Sequence, residues 1–393
     1  MTSPRSRARL AVSGLFLLNG AAFANIVSRY PELKTSLALS NVQFGIAVAA
    51  YPLGALAAGT LGGVLLARRG SARVAWVSTV LLSANLLLIG FAQNVWMLGA
   101  AFAIGGALDA CADVAENAQG LRVERLFGRS ILNSMHGLWS VGAVLGGVMG
   151  AAEIGLHVPT GWHLAAVGVA FIALAVTASR SLLRGPDERM VDPGAARPKL
   201  RATAITTLLA LGLIAAGANI MEDVGATWSG LYLTTDLGGA ATIASFGFVA
   251  LQASQTLGRF LGDGLVTRFG DRAVARVGAA LAGLAMTASL LVPSVLTTIA
   301  ALAVVGLGVG TLIPGTIRTA EALPGVAPGV GIAWVATTMR VTLLVTPPLI
   351  GALADLFSLR VAFGIVPVAA AVILLLSGAL GSAPVAHDVR ADH

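Results

Sequence analysis

Twelve apolar segments, separated by short polar stretches, run through this 393-residue chain and limit what it can fold into. A membrane-spanning helix needs about 20 mostly apolar residues, and each spanning segment must satisfy its own backbone hydrogen bonds, as helices do. The sequence therefore predicts an all-α polytopic membrane protein with helices near residues 9–28, 43–64, 74–92, 96–118, 131–153, 162–179, 203–223, 241–262, 274–292, 296–317, 329–352 and 361–381.

The scarcity of charge excludes an ordinary soluble enzyme. Charged residues make up 11% of the chain and hydrophobic residues 56%, whereas soluble domains carry about 25% charged residues. The net charge of +7 does not indicate a nucleic-acid partner, because the basic residues form short clusters between the apolar segments. The single cysteine, Cys111, lies within an apolar segment, so the sequence predicts neither a disulfide framework nor a metal site.

A polar stretch divides the segments into two sets of six. We expect an N-terminal six-helix bundle over residues 1–179, a cytoplasmic linker over 180–202, and a C-terminal bundle with a short cytoplasmic tail over 203–393. The positive-inside rule orients the chain, because placing both termini in the cytoplasm leaves most basic loop residues inside. We therefore expect a multi-pass membrane protein with both termini in the cytoplasm.

The two halves also repeat one another at an offset of 200 residues. The clearest match is a turn with the pattern Arg-x-Gly, which contains Arg68 and Gly70 in the first half and Arg268 and Gly270 in the second. Parallel repeats of six helices are the architecture of major facilitator carriers.

This repeated turn resembles the loop between the second and third helices of the major facilitator superfamily, commonly Gly-x-x-x-Asp-Arg-x-Gly-Arg-Arg. The resemblance implies the major facilitator fold, with twelve transmembrane helices in two bundles, and a gating role for the four residues Arg68, Gly70, Arg268 and Gly270. The family aspartate is replaced by Ala67 here and by Thr267 in the second half. This departure puts the family's cytoplasmic latch in doubt.

Longer motifs resemble the bacterial MosC-type branch of that superfamily, near the fucose-permease-like carriers. They are Arg29-Tyr-Pro-Glu-Leu-Lys34, Asp113-Val-Ala-Glu-Asn-Ala-Gln119, His136-Gly-Leu-Trp-Ser140 and Trp228-Ser-Gly-Leu-Tyr-Leu233. The resemblance spans the whole chain and implies the fold, but it does not imply a particular substrate.

Acidic residues in the fourth segment are candidates for proton coupling. At 100° per residue, Asp109, Asp113 and Glu116 share one stripe of a helix, with Asn117 beside it. A charge at the bilayer centre costs about 2.5–3.5 kcal/mol on insertion scales, so it needs a partner, water or a function. The stripe therefore predicts carboxyl groups that bind protons or substrate. The alternative is that it lines a wet vestibule or pairs with a basic residue.

Arg340 lies in the middle of the eleventh segment. Because arginine keeps its charge, a carboxylate or an anionic substrate must neutralise it. Two interpretations remain open: recognition of an anionic solute, or a structural ion pair with an acid of the fourth or seventh segment.

The seventh segment ends with Glu222 and Asp223, beside Asn219. These acids indicate either an outer gate and a second coupling site, or a solvated helix end. Further substrate-binding candidates are polar or aromatic residues in other segments: His136, Asn117, Trp139, Asn25, Gln252 and Trp228. Trp139 and Trp228 are suited to stacking on a sugar-like ring. The alternative for the amides and His136 is helix packing.

Three classes of function compete. The favoured hypothesis is a secondary transporter that moves a small polar or anionic solute by alternating access, coupled to protons. The alternative on the same fold is efflux of amphipathic compounds by proton antiport, with a non-transporting sensor as a further alternative. An enzyme is not expected, because the sequence has no His-Glu-x-x-His, Gly-x-Ser-x-Gly or phosphate-binding glycine loop. We expect no catalytic residues, no cofactor, no metal and no nucleic-acid partner. The partners are solute, protons and lipid, and the chain is expected to work as a monomer.

Overall fold

The computed structural model describes residues 3–128, 131–185, 202–324, 326 and 330–381, and within these ranges all regular structure is helical. The helices of the first half are α1 (Pro4–Ser28), α2 (Tyr30–Ser36), α3 (Asn41–Arg69), α4 (Ser71–Gly90), α5 (Val95–Phe127), α6 (Leu132–Gly155) and α7 (Thr160–Ser179). Those of the second half are α8 (Ala202–Leu231), α9 (Ala244–Leu291), α10 (Val295–Val309), α11 (Leu312–Glu321), α12 (Val330–Leu356), α13 (Leu359–Ala362) and α14 (Ile365–Leu376).

The prediction of a polytopic helical membrane protein is confirmed. In the described part of the chain, 11 helices are long and apolar enough to cross a membrane. Of the twelve predicted segments, only 241–262 is not among these 11 in the described part of the chain, and it forms the first part of α9. It is less apolar because it carries Gln252, Gln255 and Arg259.

The repeated Arg-x-Gly turn has almost the same backbone in both halves. Gly70 ends α3 with φ 78° and ψ 149°, and Gly270 interrupts α9 with φ 80° and ψ 158°. Only glycine adopts these angles without strain, so the chain turns sharply at the same point of each repeat. The turn at Gly270 divides α9 into the two helices that the sequence predicts.

The chain forms two compact units. One contains the described residues within 1–192, 229–249 and 347–357, and the other contains those within 193–228, 250–346 and 358–393. The first unit thus includes α1 to α7 together with the end of α8, the start of α9 and the end of α12. Most of the predicted linker, residues 186–201, and the tail from 382 onwards lie outside the described residues.

Glycines bring α1 and α6 into close contact in the first unit. A Cβ atom on Gly20 would lie 2.0 Å from the backbone oxygen of Trp139, and one on Gly142 would lie 2.1 Å from that of Leu17. Gly146 is held in the same way against Ala21. The row of glycines in α6 therefore serves helix packing, as small residues do in membranes.

The end of α12 caps the start of α3 in this unit. The two carboxylate oxygens of Asp355 accept hydrogen bonds from the backbone N–H groups of Asn41 and Val42, each at 2.9 Å. The first N–H groups of a helix have no intrahelical partner, so a carboxylate placed here satisfies them and interacts favourably with the helix dipole. Lys34 of α2 lies nearby. Burial lowers the pKa of the Lys34 ammonium below its ordinary value, while the Asp355 and Asp236 carboxylates oppose that change.

We expect Asp355→Ala to lower the free energy of unfolding by about 1 kcal/mol, because it leaves two helix N–H groups without their acceptor. Thermal unfolding of the purified protein in detergent measures this change. Asp355→Asn is the matched variant and should lose less, since its amide oxygen still accepts one bond. Equal stability of Asp355→Ala and the unaltered protein would contradict this role of the cap.

Candidate functional site

A polar cluster joins α1, α3, α5 and α6 in the middle of the first unit. The Asn19 side chain donates through Nδ2 to Asp109 Oδ1 at 2.7 Å. Its Oδ1 accepts from the indole Nε1 of Trp139 at 2.9 Å. The Tyr51 hydroxyl lies close enough to the Asp109 carboxyl group to interact with it. Asp109 therefore faces an amide and a phenol from two other helices, and the amide connects it to an indole from a third.

Aromatic rings surround this cluster. The ring of Phe23 lies 6.2 Å from that of Trp139, 6.5 Å from that of Tyr51 and 6.3 Å from that of Phe248, measured between centroids. Rings at these distances pack favourably against one another. Asn19 is only 7% exposed. The sequence predicted Trp139 and Asp109 as site residues, and the structure brings them together through Asn19.

A second polar group lies about one helical turn further along α5. Asp113 is exposed, and its Oδ1 accepts from Asn117 Nδ2 at 2.8 Å. The Oδ1 of that amide lies 3.0 Å from His136 Nε2 on α6, and the His136 ring packs edge-on against Phe16. Three predicted residues from two motifs, Asp113, Asn117 and His136, therefore form one connected set.

Glu116 is separated from both groups, although the helical stripe predicts all three acids on one face. Its side chain is 1% exposed, and Oε1 accepts from the Thr79 hydroxyl of α4 at 3.1 Å. The acids share a face of α5, but this face contacts different helices along its length. Asp109 thus contacts α1 and α3, Asp113 is exposed, and Glu116 is buried against α4.

Asn25 belongs to a different network, at the predicted outer end of the first unit. Arg29 donates through Nε to His163 Nδ1 at 2.9 Å, and His163 Nε2 lies 2.9 Å from Asn25 Oδ1. Because arginine only donates, His163 Nδ1 carries no proton, and Nε2 donates to the amide. Asn25 is 0% exposed. These contacts favour the helix-packing role for Asn25 over ligand binding.

Arg29 holds this network together. It is 1% exposed, and besides His163 it binds the Glu32 carboxylate and, at 3.0 Å, the backbone oxygen of Val158. The motif Arg29-Tyr-Pro-Glu-Leu-Lys34 therefore fastens the connection after α1 to the start of α7. Glu32 also accepts from the Thr160 hydroxyl at 2.6 Å.

We expect Arg29→Lys to lower the free energy of unfolding by about 2 kcal/mol, since one ammonium cannot reach three diverging partners and each lost bond contributes about 1 kcal/mol. The apparent melting temperature in detergent tests this. Arg5→Lys, at an exposed position, is the control and should change stability by no more than about 0.5 kcal/mol. Equal melting of Arg29→Lys and the unaltered protein would show that the network adds little.

In the second unit, three buried polar atoms have no hydrogen-bond partner among the described residues: Asp223 Oδ2, Gln252 Nε2 and Gln255 Oε1. The other oxygen of Asp223 accepts from Thr227 at 3.2 Å. Buried polar atoms are rarely left unpaired, so these are the groups that water or a polar solute would satisfy. Glu222 beside them is half-buried, whereas the predicted stacking residue Trp228 is 0% exposed.

Arg340 lies on α12 in the second unit and is exposed. It forms no hydrogen bond or ion pair with any residue that the structure describes. Thr338, which faces Gly212 of α8, lies about 160° around the helix from it. The amide of Asn219 donates to the Met339 backbone oxygen at 3.3 Å, so it anchors α12 beside Arg340. The ion-pair interpretation thus gains no support in the second unit, and the guanidinium is available to a ligand.

The predicted gating turns are stabilised at both repeats by polar contacts. In the first, Gln119 donates to the Ser71 hydroxyl at 2.6 Å, next to Gly70. In the second, Arg318 pairs with Asp271 at 2.6 Å, next to Gly270. Both contacts lie close to the position of the family aspartate, which is Ala67 in the first half and Thr267 in the second.

Sequence reasoning missed Asn19 and Tyr51. Each is a lone polar side chain within an apolar segment, which is a signal of function or helix contact in membranes. It missed them because the partner, Asp109, comes from a helix that is distant in sequence. No group of three His, Cys, Asp or Glu residues in the described ranges is placed to hold a metal ion.

The family profile of the Major Facilitator Superfamily matches residues 12–221 and again residues 207–390. The transporter y4wD of Sinorhizobium fredii is 29% identical over 377 residues, covering 94% of this chain and 97% of that protein. An MFS-type transporter of Yersinia pestis is 28% identical, covering 89% and 90%. The membrane protein MosC of Rhizobium meliloti is 27% identical, covering 74% and 70%.

Solved structures show the same fold. A bacterial homologue of the human lysosomal transporter Spinster, in an inward-facing and unoccupied conformation, superposes with a TM-score of 0.72 at 18% identity, covering 96% of this chain and 98% of that one. The nucleoside transporter NupG superposes with a TM-score of 0.73 at 12% identity, covering 96% and 99%. With the family profile matching both halves, the chain belongs to the Major Facilitator Superfamily and is a multi-pass membrane transporter.

Proposed function

We propose that this transporter moves a small polar or anionic solute together with protons by alternating access. It lies in a bacterial inner membrane, with both termini on the cytoplasmic side. The proposed source of energy is an ion gradient. Asp109 is the principal proton-binding residue. Arg340 is the main contact for a negatively charged group of the solute.

The observation that carries the proposal is the setting of Asp109. It is a carboxyl group in a membrane-spanning helix, and both its hydrogen-bond partner Asn19 and its neighbour Tyr51 are neutral. An acid at this depth needs a function or a partner of opposite charge. Its partners stabilise it by hydrogen bonds while leaving it free to change its charge, as proton coupling requires.

Two further groups support a polar or anionic solute. Arg340 is exposed without a protein counter-ion among the described residues, and a guanidinium binds carboxylates and phosphates through paired hydrogen bonds. The unpaired atoms of Gln252 and Gln255 offer one donor and one acceptor in the same unit. Hydroxyl or carboxylate groups on the solute match this set.

Efflux of amphipathic compounds is the less favoured function. It predicts a wide cavity lined by Phe and Met, but the candidate residues that the structure groups in the first unit are mainly acids, amides, a histidine and a tyrosine. The glycine row of α6 also serves contact with α1 rather than a wide channel.

A thermal-shift screen of the purified protein tests these alternatives. Sugars, polyols, organic acids and amphipathic drugs are added separately, and ligands that bind the folded state raise the melting temperature. Hits are then tested in proteoliposomes with an imposed pH gradient. We expect a polar or anionic hit whose uptake follows the gradient. Stabilisation by amphipathic drugs alone would contradict the proposal and support efflux.

A further inference from the structure

We propose that Asn19 is a positioning residue that links the protonation of Asp109 to the hydrogen bonding of the Trp139 indole. This inference rests on the proposed function, because it assigns a way in which proton binding at Asp109 reaches an aromatic side chain suited to solute contact. The link consists of one amide group between a carboxyl group and an indole. Neither Asn19 nor its two bonds is evident from the sequence motifs.

The orientation of the Asn19 amide is fixed by its partners. Indole Nε1–H can only donate, so the atom of Asn19 at 2.9 Å from Trp139 must be the oxygen. The amide nitrogen then faces Asp109 Oδ1 at 2.7 Å and donates to it. The reverse orientation would place two N–H donors against each other at Trp139. The observed arrangement therefore needs an acceptor at Asp109 Oδ1, which an ionised carboxylate supplies at both oxygens and a neutral carboxyl group at only one.

Protonation of Asp109 changes this match. A neutral carboxyl group carries one O–H donor, and a buried donor needs an acceptor. Two acceptors lie within reach: the Tyr51 hydroxyl, which can either donate or accept, and the Asn19 oxygen. If the carboxyl proton is given to Asn19, the amide must turn, and its nitrogen then faces the indole. Trp139 thereby loses its acceptor and is released.

Release of Trp139 acts on the surrounding aromatic rings. Its ring is tilted by 30° against that of Phe23 at 6.2 Å, and Phe23 also contacts Tyr51 and Phe248. Asn19 is only 7% exposed and Trp139 is half-buried, so the surroundings shield part of the indole from water that could replace the lost bond. A change of charge at Asp109 is therefore expected to shift an aromatic group rather than to be absorbed by solvent.

Other titratable groups face this site and must be separated from Asp109 in any test. They are Asp113 and Glu116 on α5, Tyr51 on α3 and His136 on α6. From α4, the Thr79 hydroxyl faces the acidic stripe, and it does not titrate near neutral pH. Asp113 and His136 are connected through Asn117, whereas the side chain of Asn19 bonds to Asp109 and Trp139. They serve as controls.

The experiment measures the tryptophan fluorescence of the purified full chain between pH 4 and pH 9, with pH as the only probe. Subtracting the signal of Trp139→Phe, which keeps a ring and loses the N–H, isolates the Trp139 contribution. We expect this contribution to change with pH in the unaltered protein. The change should be absent in Asp109→Asn and in Asn19→Leu, each measured against the same variant that also carries Trp139→Phe, and retained in Asp113→Asn.

Two further variants guard against a folding defect. Asn19→Gln keeps the amide and should restore part of the pH response. Tyr51→Phe removes the competing acceptor and should enlarge the response. Persistence of the Trp139 response in a folded Asn19→Leu, or its absence from the unaltered protein, overturns the inference.

The proposed function is tested separately. Solute-dependent proton flux that survives in Asp109→Asn contradicts proton coupling at Asp109, whatever Trp139 does. If Asp109→Asn loses this flux but the Trp139 fluorescence of the unaltered protein does not change with pH, the proposed function is supported and the link through Asn19 is rejected.

Discussion

Replacing Asp109 with Asn is expected to abolish solute-driven proton movement while solute exchange continues. The asparagine can still contact Tyr51 and Asn19, so the neighbouring helices keep their packing, but the amide cannot bind and release a proton. The measurement uses proteoliposomes that contain a trapped pH-sensitive dye. Addition of the solute identified by thermal shift should acidify the lumen with the unaltered protein and leave the pH unchanged with Asp109→Asn.

Counterflow separates a coupling defect from a general loss of activity. In counterflow, labelled solute exchanges with unlabelled solute without net proton movement, so Asp109→Asn should retain it. Asp113→Asn is the matched control one turn away on the same helix. Because Asp113 is exposed and has no hydrogen bond to Asn19, we expect its loss to change proton movement less. Undiminished dye acidification by Asp109→Asn would reject this residue as the coupling acid.

Arg340→Gln is expected to weaken the binding of an anionic solute by about 2–3 kcal/mol, or roughly 30–150-fold in Kd. The guanidinium is exposed and has no counter-ion among the described residues, so its removal costs ligand binding rather than a protein ion pair. Stability should therefore change little. Binding is measured by isothermal titration, and melting temperature is recorded alongside it.

Arg340→Lys tests the geometry of the contact. Lysine keeps the charge but loses the planar pair of donors, so we expect an intermediate affinity. Arg180→Gln, at an exposed position at the end of α7, controls for the loss of one positive charge. Unchanged affinity in both Arg340 variants would mean that the arginine does not recognise the solute.

The fold was predictable from the chain itself because crossing a membrane is a local property. A run of about 20 apolar residues is sufficient for a spanning helix, and this criterion located the segments without any knowledge of packing. The turn at Gly70 and Gly270 was predictable for the same reason, since the pattern Arg-x-Gly contains the residue that the backbone angle requires. Helix ends were less well placed. α8 continues to Leu231, eight residues beyond the predicted segment, because Glu222 and Asp223 were interpreted as its end.

The site was predictable only as a set of candidates. Residue types and the membrane cost of charge selected Asp109, Asp113, Glu116 and Arg340 as candidates, and helical geometry placed the three acids on one face. Contacts between helices then separated those acids. Glu116 accepts from Thr79 of α4, and Asp109 accepts from Asn19 of α1, whereas Asp113 accepts from Asn117 on α5 itself.

The sequence by itself determined that this chain spans a membrane as two repeated sets of helices and belongs with the major facilitator carriers. Those conclusions depend on the length of the apolar segments, the distribution of charge and the order of the motifs, which are all properties of the linear sequence. Only the tertiary structure decided that Asn19 stands between Asp109 and Trp139, and that Arg340 has no protein counter-ion among the described residues. Hydrogen bonds of this kind join helices that lie about 90 or 120 residues apart, and no pattern along the chain specifies which of them meet.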